Sequence, residues 1–189
     1  MAISEEKKSP IQLLHLATEF TPRPHTQKLW LDVLFVLFIA AIHMTILPSV
    51  LGKYVKVDLI TPWLVIHFVV QRPFPATILA MISAFTLESH SAVPSGIYLC
   101  IYWIMGNVIM QVRTNLSWRH NIPWLAAFAL AELWVILFET FVLVFTAGIN
   151  MLTFTYLGAQ LTRMISGVAF GFCICQPWLK VDAEEAVPQ

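Results

Sequence analysis

Six apolar stretches dominate this chain, at Trp30–Leu51, Leu59–Val70, Phe74–Leu87, Gly96–Val112, Ile122–Ala147 and Asn150–Trp178, with short polar segments between them. A hydrocarbon layer takes about 20 apolar residues of helix per crossing. The 189 residues therefore hold about six short-looped spans and leave no room for a second soluble domain. Only 12% of the residues are charged and the mean hydropathy is +0.75, whereas a soluble domain carries roughly a quarter charged residues. The expected fold is all-α: a polytopic membrane protein built as a compact bundle of about six transmembrane helices. Residues 1–28 are expected to form a cytoplasmic N-terminal segment, residues 29–179 the six-helix domain and residues 180–189 a cytoplasmic tail.

Met1–Lys28 carries Glu5, Glu6, Lys7, Lys8, Arg23 and Lys28 and has no apolar core leading to a small-residue cleavage site, so it does not read as a cleaved signal peptide. Within it, Ser9–Phe20 starts with a capping serine and a first-turn proline and has a partial apolar stripe, which predicts a short interfacial helix. Pro22 and Pro24 end it. The second and third stretches are short and separated only by Gln71, Arg72 and Pro73. They form either a helical hairpin or one kinked, re-entrant element. The hairpin is favoured, because a single long span with an unpaired central arginine is costly.

Positive residues near span ends stay on the cytoplasmic side. With six spans, Lys7, Lys8, Arg23, Lys28, Arg72, Arg113, Arg119 and Lys180 fall on one side, and Lys53 and Lys56 on the other. Both termini are thus expected in the cytoplasm. Merging spans two and three divides the set evenly and removes the bias. The formal net charge is zero, which favours neither nucleic acid nor an acidic partner.

Ionisable groups at membrane depth are costly unless paired, so they are functional candidates by default. Asp32 and Glu88 lie near span ends, where headgroup water is within reach. Glu132 and Glu139, seven residues apart, share one face of the fifth span. At 1.5 Å per residue from the loop at Gly148, Glu139 sits about 13 Å deep and Glu132 about 24 Å, with Arg163 of the sixth span about 20 Å deep. The three form either a structural ionic cluster tying the last two helices, its remaining carboxylate hydrated or protonated, or a proton or substrate pathway. Gly167 and Gly171 make a G-x-x-x-G pair that permits close helix approach, to a partner or within the bundle. His43 and His67 have no second ligand at a metal-binding spacing, and Cys100, Cys173 and Cys175 read as packing residues. No nucleophile-elbow, zincin or phosphate-loop pattern is present. Neither a cofactor nor a metal is expected, nor an enzyme.

The segment Glu88-Ser-His-Ser-Ala-Val-Pro-Ser-Gly96 resembles the acidic, Ser/Gly-rich turn closed by glycine that MreD proteins carry between their third and fourth spans. That family usually has aspartate at the first position and glycine where Ala92 stands. The flanking order is also similar: a short span opening at Asp58–Trp63, a polar-proline turn at Arg72 and Pro73, a span ending at Arg113, a basic loop with Arg119, and the acidic pair Glu132 and Glu139. The resemblance covers roughly Leu59–Leu179; the Met1–Lys28 extension is not typical of the family. It implies a non-enzymatic inner-membrane scaffold of the bacterial cell-elongation machinery, pairing with MreC and coupling MreB filaments to RodA and its class B penicillin-binding protein. The residues it puts forward are Glu88 and Gly96 at the periplasmic turn, the Glu132, Glu139 and Arg163 cluster, and Arg113 and Arg119. The alternative is the substrate-binding component of a vitamin transporter, with Tyr98, Tyr102, Trp103 and Asn107 lining a pocket. An enzyme acting on lipid ranks last.

Overall fold

The computed structural model describes residues 29–51, 55–91, 93–116, 118 and 120–184. The expected interfacial helix, Ala92 and Arg119 lie outside them. Among the described residues the chain is all-helical, with six helical rods. The first, α1, is α-helical over Leu29–Ala41, π-helical over Ile42–Ile46 and α-helical again over Leu47–Leu51. The π turn has a local cause. Pro48 has no N–H to offer the carbonyl of Met44, and the Leu47 amide bonds instead to Ile42 O, five residues back.

Helices α2 (Ile60–Val70) and α3 (Pro73–Glu88) follow as a hairpin. Gln71 and Arg72 both have extended ψ angles, and Pro73 opens α3, where its missing N–H costs nothing. The hairpin expected from the sequence is therefore present in place of a kinked rod. Glycine 96, at φ +90°, makes the left-handed turn into α4 (Ile97–Val112), a conformation that side chains with a Cβ resist. Helix α5 spans Asn121–Ala147 and ends at Gly148, also with positive φ. A 3-10 turn, Ile149–Met151, leads to α6, Phe154–Glu184, which continues as helix beyond the end of the apolar run.

Helix α2 is the hub. Every one of its residues from Ile60 to Val70 is buried, and it packs against each of the other five helices. At 11 residues it is about 16 Å long, half a hydrocarbon layer. Its surroundings are protein on every side. Three rods, Leu29–Ile46, Asn121–Ala147 and Phe154–Gln176, are long and apolar enough to cross a membrane, while α2, α3 and α4 are shorter apolar helices.

A helix buried end to end must have its terminal N–H and C=O groups satisfied from within the protein. At the N-terminus, Asp58 Oδ1 accepts from the amides of Ile60 (2.9 Å) and Thr61 (3.0 Å), and Pro62 has no amide to satisfy. At the C-terminus, the Gln71 amide donates to His67 O, and Arg113 Nη1 donates to Phe68 O (3.1 Å) and Gln71 O (2.7 Å). An acid at the positive end and a base at the negative end also match the helix dipole. Arg113, expected in a basic surface loop, is thus half-buried and caps α2. Its replacement by alanine is expected to lower unfolding stability by about 1–3 kcal/mol, with lysine in between, as read by thermal unfolding of the purified protein.

Candidate functional site

The densest group of polar side chains surrounds the N-terminus of α2. Asp58 accepts three bonds locally, from the Ile60 and Thr61 amides and from Thr61 Oγ1 (3.0 Å). Its Oδ2 also takes two from Arg163 of α6, at 3.0 Å from Nε and 2.5 Å from Nη2. The same guanidinium donates from Nη1 to Glu139 Oε2 of α5 at 2.6 Å. Tyr98 of α4 donates to Glu139 Oε1, also at 2.6 Å. Three elements therefore meet at one arginine and α4 joins them through Glu139; Asp58, Glu139 and Arg163 are all buried.

Glu132 stands apart. It is completely buried, with Oε2 3.9 Å from Arg163 Nε. Neither carboxyl oxygen has a hydrogen-bond partner among the described residues. Asp58 already holds Arg163 Nε, so the guanidinium faces Glu132 without bonding it.

The sequence sets two carboxylates against this arginine and ties only the last two helices. The structure adds a third carboxylate and two further elements, α2 through Asp58 and α4 through Tyr98. In the sequence Asp58 marks only the opening of a short span; the signal for its role is its position before Ile60, Thr61 and Pro62 at the start of an apolar run, the pattern of an N-capping acid. Helix depth alone could not place Asp58 beside Arg163, because the two are 105 residues apart.

A second polar group lies at the other end of α2. Asp32 is buried and accepts from Gln71 Nε2 at 2.8 Å, with His67 Nε2 at 3.8 Å. The expectation that headgroup water reaches Asp32 is corrected: α2 covers it. Glu88 is half-buried, and its Oε1 accepts the Leu99 amide at 3.2 Å, capping the first turn of α4 beside Gly96. Trp118 Nε1 donates to Arg113 O and Trp124 Nε1 to Trp118 O, which closes the connection from α4 to α5.

The G-x-x-x-G face is used within the bundle. A Cβ on Gly167 would overlap the Glu132 carboxyl, and one on Gly171 would overlap the Phe128 ring. Among the described residues, Tyr98, Tyr102, Trp103 and Asn107 do not share one face of α4. Tyr98 and Tyr102, four residues apart, share the buried face of α4, whereas Trp103 points outward and Asn107 bonds back to its carbonyl. The recess beside Trp103 and Asn107 has about 40 Å³ of space, far below the roughly 300 Å³ or more of a small-molecule pocket. A larger groove of about 360 Å³ between α4 and α5 is almost wholly apolar, walled by Met105, Ile109, Ala127, Leu130 and Trp134.

No protein-family model, curated protein or solved structure matches the chain.

Removing one partner of a buried ion pair leaves the other charge uncompensated, at about 3–5 kcal/mol. Arg163→Ala is accordingly expected to lose most of its folded yield, and Arg163→Lys to lose less, in a comparison of expression and thermal unfolding. Gly167→Ala is expected to cost about 1–3 kcal/mol through overpacking against Glu132, measured in the same assay.

Proposed function

We propose that the chain is a multi-pass protein of the bacterial inner membrane, both termini cytoplasmic, acting as a non-enzymatic scaffold of the cell-elongation machinery in the manner of MreD. The observation that carries this reading is the inverted distribution of polarity. Asp58, Glu132, Glu139 and Arg163 are enclosed, while Phe38, Phe85, Trp103, Leu130, Phe141 and Phe154 stand exposed on five helices around α2. In water such a surface would aggregate; in a bilayer it is solvated.

The arrangement also supports the orientation. Arg113 bonds the carbonyl of Gln71, next to Arg72, so these two cations share one end of the bundle, as the positive-inside rule requires of cytoplasmic loops. Asp58, Glu139, Arg163 and Arg113 are spent on one another and on helix ends. That leaves outward apolar faces as the surface for neighbours, and helix docking in the bilayer is the means by which a small scaffold joins larger enzymes. The resemblance of the Glu88-to-Gly96 turn to MreD supplies the identity of those neighbours: MreC, and through it MreB, RodA and a class B penicillin-binding protein.

A mild-detergent pull-down of the tagged chain from its native membrane, with mass spectrometry of proteins and small molecules together, tests this. Recovery of an MreC-like single-span protein with elongation enzymes is expected. A stoichiometric vitamin-like ligand together with an energising ATPase would overturn the scaffold in favour of transport.

A further inference from the structure

Three carboxyl groups and one guanidinium meet around Arg163, which leaves two formal negative charges in excess if all three acids are ionised. An interior of low dielectric does not hold such an excess; a buried acid without compensation takes up a proton. Hydrogen bonding decides which one. Asp58 accepts five bonds, two of them from Arg163. Glu139 accepts two, from Arg163 and Tyr98. Glu132 accepts none.

We propose that Glu132 is a proton-binding site, occupied in the structure seen here, and that its proton determines where Arg163 is held. With the proton in place Glu132 is neutral, and Arg163 Nε and Nη2 remain on Asp58, tying α6 to the start of α2. On release, the carboxyl O–H bond breaks, the electron pair stays on the oxygen and the proton passes to water. The resulting carboxylate, 3.9 Å from Nε, then competes with Asp58 for the guanidinium and draws α6 toward α5. The closeness of Gly167 serves this geometry: its missing Cβ is what admits the Glu132 carboxyl between the two helices.

The titratable and charged groups facing the site come from every neighbouring element. They are Lys56 and Asp58 before α2, Glu139 on the same helix, Arg163 on α6, Tyr98 and Tyr102 on α4, and His43 on α1, whose charged neighbours are Asp58, Arg163, Glu139 and Lys56. Comparison of the wild type with Glu132→Gln separates their titration from that of Glu132, because the amide keeps the shape of the neutral acid. The proton proposed on Glu132 is one that an unfolded glutamate gives up, so its contribution to stability declines as pH rises.

The test is infrared spectroscopy of the full chain in lipid nanodiscs at neutral pH, in light and heavy water, with thermal unfolding as a function of pH. The wild type is expected to show the carbonyl stretch of a protonated carboxyl, shifted in heavy water, absent from Glu132→Gln and retained in Glu139→Gln. Glu132→Gln is expected to fold and to lose less stability than the wild type between acidic and neutral pH. The proposal is overturned by a wild type lacking the protonated band. A band that persists in Glu132→Gln, or vanishes in Glu139→Gln instead, also overturns it. So does failure of Glu132→Gln to fold, since a neutral isostere of a neutral acid does not unfold the bundle, and so does an equal loss of stability in both proteins.

Discussion

A short helix with no face to solvent is the constraint on which this architecture depends. Helix α2 has neither the length to reach polar surroundings at its ends nor any exposed side, so its unpaired backbone groups must be satisfied by other segments of the chain. Asp58 satisfies one end locally, and Arg113 satisfies the other from 45 residues away. Asp58, once committed to the helix, is a buried charge that needs its own partner, and Arg163 provides it. Arg163 has a donor left after Asp58 has taken Nε and Nη2, and Nη1 gives it to Glu139, with Glu132 at a longer distance. The polar network is thus a chain of necessities that begins with an enclosed helix terminus.

This logic accounts for how the other helices are placed. The two long rods α5 and α6 are held together both by apolar packing, with Gly167 and Gly171 admitting Glu132 and Phe128, and by the ionic link from Arg163 to Glu139. Helix α4 is fixed at both ends: Glu88 caps its first turn, and Arg113, just beyond its last, reaches across to α2. Helix α1 is joined to the far end of α2 through Asp32 and Gln71. The outward faces of the five helices around α2 carry large apolar side chains, among them Phe38, Phe85, Trp103, Phe141 and Phe154.

The resemblance on which the scaffold reading draws involves residues with clear structural work. In the turn from Glu88 to Gly96, the acid bonds an amide of the following helix and the glycine takes a positive φ. An aspartate at the first position would need a closer approach to make the same bond, so the longer glutamate is a departure with a geometric consequence. Arg113 likewise has a structural duty within the bundle, bonding the last carbonyls of α2.

Apolar periodicity and composition alone determined the number of helices, their approximate limits and the presence of a turn at Gln71–Arg72, because these follow from local hydrophobicity, proline and glycine along the chain. That Arg163 meets the carboxylates of the preceding helix was also legible, since two neighbouring antiparallel helices bring residues at similar depths together; that it bonds Glu139 rather than Glu132, which depth brings closer, was not. Three things were decided only by the tertiary structure. Asp58 joins the cluster across 105 residues, Asp32 is hidden from water by α2, and α2 occupies the centre rather than the rim. Each depends on which helix packs against which, and in a chain where nearly every helix is apolar on all sides, hydrophobicity does not specify that choice. The few polar side chains do, through partners found far along the sequence.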